Sequence, residues 1–69
     1  MRSLLKEDIG INAGKIWRLL QKRGLLSIRQ IGELTYYHES VIYMCLGWLA
    51  RENKIKFLNE GGNVQVHLV

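Results

Sequence analysis

The 69 residues suffice for a single domain, expected over residues 1–69, which buries only roughly 60% of its unfolded surface and is therefore marginally stable. With Cys45 as the only cysteine and no run of the ~20 apolar residues that cross a bilayer, the sequence excludes an internal disulfide and a membrane span, and it predicts a cytoplasmic protein. Ten Lys and Arg against six Asp and Glu give a net charge of +4, which is compatible with nucleic acid binding without requiring it.

The first predicted helix follows a polar lead-in over residues 1–8, which we expect to be frayed. It is predicted to begin at Asn12, a favourable N-cap, and to stop at Gly24, a favourable residue after a helix C-terminus. One apolar stripe is predicted to pack inward, and it comprises Ala13, Ile16, Trp17 and Leu20. A basic row is predicted on the opposite, solvated side, and it comprises Lys15, Arg18 and Lys22.

A capping box marks the start of the second helix. Leu25 and Leu26 are expected to form a brief strand just before it. In Ser27-Ile28-Arg29-Gln30, the Gln30 side chain is spaced to reach back to the Ser27 amide. The helix is predicted over Ile28–Leu34, burying Ile28, Ile31 and Leu34. Thr35-Tyr36-Tyr37 then has the length of the turn in a helix-turn-helix.

The third helix is predicted from Glu39 to Glu52. Its inner stripe comprises Ile42, Cys45, Leu46 and Leu49. Further apolar residues widen the stripe on both flanks, namely Val41, Trp48, Tyr43 and Ala50. The resulting arc spans about 200°, wider than the ~100° that a one-sided helix needs, so we expect a partner to cover part of it.

The C-terminal residues predict a β-hairpin around Gly61-Gly62, which supply the positive φ of a tight turn. Alternation places Ile55 and Phe57 on one face with Val64, Val66 and Leu68, and places Lys56, Gln65 and His67 on the other. The element order is that of a winged helix-turn-helix: a mainly α, α/β fold of three helices and a C-terminal β-hairpin wing. The predicted core is Ile16, Trp17, Leu20, Ile28, Ile31, Leu34, Ile42, Cys45, Leu46, Leu49, Ile55, Phe57, Val64 and Val66.

Two segments carry a resemblance to a known family, Ile9–Trp17 (IGINAGKIW) and Leu46–Ile55 (LGWLARENKI). They resemble a small bacterial winged helix-turn-helix family catalogued as a domain of unknown function, and the similarity covers nearly the whole chain. The resemblance implies the fold, homodimerisation and a presumed DNA-binding role. Tyr36 and Tyr37 depart from the family pattern, because a glycine commonly occupies that turn.

In a DNA-binding interpretation, the third helix enters the major groove of double-stranded DNA. Its outward face is predicted to comprise Ser40, Met44, Gly47 and Arg51, with Tyr43 and Trp48 at the edges. Only Arg51 is a cation, and the wing tip contains the acidic Glu60 and no arginine. Most of the positive charge lies on the first helix and close to it, on Lys15, Arg18, Lys22, Arg23 and Arg29. This charge either forms a solvated face or contacts a DNA backbone or an acidic protein.

A protein–protein interface on the third helix is the alternative function. Tyr43, Met44, Gly47 and Trp48 combine aromatic, Met and uncharged residues, as interface cores do. Gly47 in mid-helix is either simply tolerated or lets another molecule approach closely. For Trp48 alone, packing against the hairpin of its own chain is nearly as well supported as a role in an interface.

No catalytic, cofactor-binding or metal-binding pattern is present, so an enzyme is not expected. His38 and His67 lack the partners of a metal site, and Cys45 is predicted to be a buried structural thiol. Gly10 and Gly14 follow no strand and are not spaced as a phosphate-binding loop.

Overall fold

The computed structural model describes residues 6–69, and of Lys6 it describes the backbone. Its elements in chain order are α1 (Lys6–Arg23), β1 (Leu26–Ser27), α2 (Ile28–Thr35), α3 (Glu39–Arg51), β2 (Ile55–Glu60) and β3 (Asn63–Leu68). The strands form one antiparallel sheet in the order β1-β3-β2. The predicted mainly helical fold with a hairpin wing is confirmed, and the short strand before α2 joins the wing to the helical part.

Helix α1 begins at Lys6, so the prediction of a start at Asn12 is wrong. Asn12 does not cap the helix, because its side-chain oxygen accepts a hydrogen bond from the Tyr37 hydroxyl at 3.2 Å. Glu7 and Asp8 lie in the first turn, where negative charge is favourable against the helix dipole. Of the predicted lead-in, residues 1–5 lie outside the described part of the chain and residues 6–8 form this turn. The end is as predicted, with Gly24 in a left-handed conformation (φ +78°).

Helix α2 begins with the predicted capping box. The Gln30 amide donates to the Ser27 hydroxyl at 3.0 Å, and the Ser27 amide donates to the Gln30 side chain at 2.9 Å. The helix ends at Thr35, and Tyr36 takes the left-handed conformation (φ +60°) that reverses the chain toward α3. The turn between the two helices therefore contains a non-glycine residue in the left-handed backbone conformation, which favours glycine.

Helix α3 ends in a Schellman motif centred on Asn53 (φ +58°). The Lys54 amide donates to the Leu49 carbonyl and the Asn53 amide to the Ala50 carbonyl, both at 3.0 Å. These bonds satisfy carbonyls at the end of the helix and direct the chain straight into β2. The wing therefore follows α3 with only Glu52, Asn53 and Lys54 between them.

The hairpin pairs Ile55 with Leu68 and Phe57 with Val66, in the predicted facing. Gly61 and Gly62 have φ of +56° and +86°, so both adopt the positive φ expected for this turn. Strand β3 lies in the middle of the sheet and β2 at its edge.

The core lies between α1, α3 and the sheet, and its buried residues are Ala13, Ile16, Leu20, Leu26, Ile31, Ile42, Cys45, Leu46, Leu49, Ile55 and Val66. Trp17 and Ile28 are half-buried against it. The prediction that Leu34 and Phe57 are buried is wrong, because they are 40% and 48% exposed. Leu34 lies in the last turn of a short helix and Phe57 on an edge strand, where too few neighbours cover them. Val64 is half-buried.

Candidate interaction surface on α3 and the wing

The outward face of α3 is accessible to a partner. Ser40, Gly47 and Arg51 are exposed, and Tyr43 and Met44 are 52% and 39% exposed. The face is oriented by the four fully buried residues on the opposite side of the helix, Ile42, Cys45, Leu46 and Leu49. These exposed side chains offer one cation, two hydroxyl groups and a thioether, with a helical glycine between them.

An open groove of about 630 Å³ lies beside this face. Its walls are the start of α2, the first half of α3 and the wing from Gly62 to Gln65. Arg29, Gln30, Tyr43, Asn63 and Gln65 contribute hydrogen-bonding groups to its lining. The structure thus joins Tyr43 and Arg29, which are distant in sequence, on one concave surface with the wing.

Tyr37 holds the turn between α2 and α3 against α1. Its hydroxyl donates to the Asn12 side chain, and its amide donates to the Thr35 hydroxyl at 3.1 Å. Burial and the nearby Cys45 thiol raise the pKa of Tyr37, so the phenol stays protonated and able to donate at neutral pH. Burial likewise raises the pKa of Cys45, whose thiol donates to the Ile9 carbonyl at 3.8 Å. The prediction that Cys45 is a buried thiol is confirmed.

Trp48 is half-buried by α1 within the same chain. A Cβ atom added at Gly10 would lie 3.8 Å from the indole ring, so the glycine leaves room for the ring to pack closely. Trp17 and Lys54 line the adjoining small cleft. The neighbour is thus α1, whereas the sequence suggested the hairpin. Part of the wide apolar arc of α3 is covered within the chain, and Tyr43 and Met44 remain on the open side.

The basic row on α1 lies apart from the α3 face. Lys15, Arg18 and Lys22 are exposed on the side of α1 opposite its buried stripe. Because α1 and α3 pack through their buried stripes, their exposed faces point away from each other. Arg29 is separate again, at the start of α2, where it forms a solvent-exposed ion pair with Glu33 at 3.6 Å. Such an exposed pair contributes little to stability, so Arg29 is available to another partner.

Tyr36 is a surface residue for which the sequence predicted no role in a site. Its side chain is 92% exposed although its backbone has a left-handed φ. Backbone strain in an exposed position often accompanies function. The available signal was the departure from the glycine that the family pattern favours at this turn.

Replacing Tyr36 with glycine is expected to stabilise the fold by about 1 kcal/mol, because glycine removes the left-handed penalty. The exposed ring contributes no packing that would be lost. The measurement is urea unfolding of the wild type, Tyr36→Gly and Tyr36→Ala. Alanine removes the ring and keeps the penalty, so it should change stability little. A less stable glycine variant would show that the ring holds the turn.

Gly47→Ala is expected to raise the free energy of unfolding by about 0.5–1 kcal/mol, since glycine is unfavourable inside a helix. Apart from its own helix, a Cβ atom at Gly47 would meet no atom of the described residues within 4 Å, so the packing around α3 does not require glycine there. Gly14→Ala in α1 is the matched control, because its Cβ is equally unobstructed. Thermal unfolding should show a similar gain in both variants. A loss of stability in Gly47→Ala alone would contradict the open space seen on α3.

Two further features bear on the class of protein. Among residues 6–69, no cluster of three or more His, Cys, Asp or Glu side chains is arranged to hold a metal ion. None of the helices in that range combines the length and the apolar character that crossing a membrane demands.

The three helices, the turn between α2 and α3 and the hairpin beside α3 define a winged helix-turn-helix domain. Residues 4–68 match the model of the winged helix-turn-helix domain family DUF2582, a domain of unknown function, and the chain belongs to this family. Domains of this type are typically non-enzymatic.

Two known proteins are similar to this chain. The chain is 41% identical over 54 residues to an uncharacterized protein, MJ1608, from Methanocaldococcus jannaschii, an alignment that covers 75% of this chain and 77% of that protein. It is also similar to the solution NMR structure of protein BT2368 from Bacteroides thetaiotaomicron, with a TM-score of 0.84 and 30% identity over 91% of this chain and 77% of that chain.

Proposed function

We propose that the protein is a DNA-binding transcriptional regulator that acts as a homodimer and presents α3 to the major groove of duplex DNA. The observation that supports this most is the outward face of α3, exposed beside a polar groove and the wing. A helix with one exposed face and a flanking hairpin is the arrangement by which helix-turn-helix proteins read DNA.

The side chains on this surface suit separate roles in DNA binding. Arg51 is the exposed cation of α3 and is suited to a phosphate or to the edge of a guanine. Ser40 and Tyr43 offer hydroxyl groups to phosphate oxygens. Arg29 and Asn63 lie across the groove, on α2 and the wing. Contacts from three elements would fix the orientation of the protein on the duplex.

The remaining positive charge is suited to attracting DNA at long range more than to contacting it directly. Lys15, Arg18 and Lys22 face away from α3 and, within the net charge of +4, contribute to a long-range attraction for a polyanion. This attraction is screened by salt. The proposal involves no catalytic step, cofactor or metal ion, and it places the protein in the cytoplasm, where DNA is accessible.

The test is a fluorescence anisotropy titration of a labelled duplex of mixed sequence, first at low and then at physiological salt. Micromolar or tighter affinity at low salt, weakening steeply as salt rises, is the expected result because bound phosphates release counterions. A matched titration with a neutral polymer controls for nonspecific adsorption. Flat DNA titrations at low salt would exclude this function.

A second candidate function, a protein interaction module that binds through α3, is favoured by the exposure of Tyr43 and Met44. Aromatic and Met side chains without charge are typical of interface cores. Here Met44→Asp should abolish self-association in sedimentation velocity, whereas Gln21→Asp on the exposed side of α1 should not. In this case DNA should leave the α3 amide resonances unmoved.

A further inference from the structure

The outer edge of β2 is unpaired among the described residues. Strand β3 has β1 on one side and β2 on the other, whereas within residues 6–69 β2 has a neighbouring strand only on its β3 side. An open edge offers a row of backbone donors and acceptors to another strand, and proteins usually protect such edges. In this chain the edge strand instead exposes two large apolar side chains, Phe57 and Leu58.

The hydrogen-bonding pattern shows which residues of β2 face this open edge. The Val69 amide donates to the Lys54 carbonyl at 3.1 Å, which extends the pairing of Ile55 with Leu68 by one residue. In an antiparallel ladder the peptide groups of alternate residues point to the same neighbour. The even-numbered residues of β2 therefore bond to β3, and Phe57 and Asn59 direct their N–H and C=O groups outward.

The side chains along β2 have a self-complementary order. Lys56, Leu58 and Glu60 lie on one face of the strand. The apolar Leu58 is thus preceded by a cation and followed by an anion on this face. Both charged side chains are exposed, and neither forms an ion pair with another described residue. If the strand is turned around a twofold axis at Leu58, each cation meets an anion.

We propose that β2 pairs antiparallel with β2 of a second copy of this chain, about a twofold axis at Leu58. Lys56 then lies opposite the partner's Glu60, Leu58 contacts the partner's Leu58, and Phe57 hydrogen-bonds through its backbone to the partner's Asn59. The two three-stranded sheets become one continuous sheet. A symmetric interface of this kind uses the same patch on both copies.

The register is specified by both charge and hydrogen bonding. The two β2 strands can hydrogen-bond only if their odd-numbered residues, whose N–H and C=O groups point outward, lie opposite each other. The register can therefore change only in steps of two residues. A shift in one direction places Leu58 opposite the partner's Lys56, and a shift in the other places it opposite the partner's Glu60. Both shifts break the two Lys56–Glu60 pairs, which are favourable across strands, and separate the two Leu58 side chains. The first shift brings Glu60 opposite the partner's Lys54, but Lys54 already forms an ion pair with Glu52 at 3.6 Å within its own chain.

The residues of this interface lie on β2, and none of them belongs to the outward face of α3. The inference rests on the homodimer in the proposed function and specifies its contact, which differs from the α3 interface of the second candidate function. A single strand pair buries less surface than a standard protein interface does, so we expect a reversible dimer with micromolar affinity.

The test is a charge-reversal cycle followed by sedimentation equilibrium without DNA, so that its outcome is independent of DNA binding. Lys56→Glu and Glu60→Lys each place like charges opposite each other twice, and each should weaken the dimer by about tenfold. The double variant exchanges the charges and should restore the affinity to within about threefold of wild type. Lys22→Glu on α1 is the control for Lys56→Glu, with the same charge change, and should have little effect.

Amide hydrogen exchange at increasing protein concentration gives the second measurement. Protection of the Phe57 and Asn59 amides should rise with concentration, whereas the Leu58 amide, already bonded to β3, should change little. A chain that stays monomeric at millimolar concentration would overturn the inference. So would a dimer that is insensitive to the charge cycle, or one that Met44→Asp breaks while the β2 amides remain unprotected.

Discussion

Leu46→Ala is expected to lower the free energy of unfolding by about 3 kcal/mol, the largest stability effect among these predictions. Leu46 is 1% exposed on the inner side of α3, where truncation leaves a cavity between the helices and the sheet. Small domains are stable by only about 5 kcal/mol, so the variant should be partly unfolded at physiological temperature. Urea unfolding followed by circular dichroism measures the change.

Met44→Ala provides the matched control for this prediction. Met44 lies on the same helix two residues earlier and faces outward, so its truncation should cost less than about 1 kcal/mol. The contrast between the two positions tests the orientation of α3 directly. Equal losses at both positions would mean that Met44 is covered in the protein, either by its own chain or by a tight partner.

Arg51→Glu is expected to weaken duplex DNA binding by about tenfold or more, because it replaces the exposed cation of α3 with an anion. Reversing one phosphate-contacting charge should also reduce the slope of log affinity against log salt by about one to two. Anisotropy titrations at several salt concentrations give both quantities. Circular dichroism should show an unchanged fold, since Arg51 is exposed.

Lys22→Glu separates a local contact from a general charge effect. It changes the net charge equally but lies on the side of α1 that faces away from α3. We expect a loss of only a few-fold at low salt, through the weaker long-range attraction. A loss as large as that of Arg51→Glu would place the duplex against the basic row of α1 instead of α3.

Local signals in the sequence predicted most of the fold. The capping box at Ser27 marked the start of α2, and Gly24 and the Gly61-Gly62 pair marked a helix end and a tight turn, because each of these conformations depends on nearby residues. The inner stripe of α3 followed from helical periodicity alone. These features required no knowledge of how the elements pack together.

Errors arose where tertiary contacts override local preference. Asn12 has the properties of an N-cap but bonds to Tyr37 instead, 25 residues away, while α1 continues past it toward the N-terminus. Phe57 follows the alternation of a buried strand, but β2 is an edge strand, so its ring remains half-exposed. Sequence alternation specifies the face of a residue but does not specify how many neighbours cover it.

The candidate surface was predicted only in part, for the same reason. Periodicity identified the outward residues of α3, including Ser40 and Arg51. The groove beside them depends on how the wing and α2 are placed relative to α3, which no local pattern encodes. The exposed Tyr36 in its left-handed turn was visible in the sequence only as a departure from the family pattern.

The most direct measurement is an NMR titration of the isotope-labelled protein with duplex DNA, following the backbone amide resonances at low salt and again after salt is added. We expect the largest shifts at Ser40, Tyr43, Gly47 and Arg51 on α3 and at Asn63 on the wing, and we expect salt to reverse them. Shifts confined to the basic row of α1, or no shifts at all, would contradict DNA recognition by α3 and the wing.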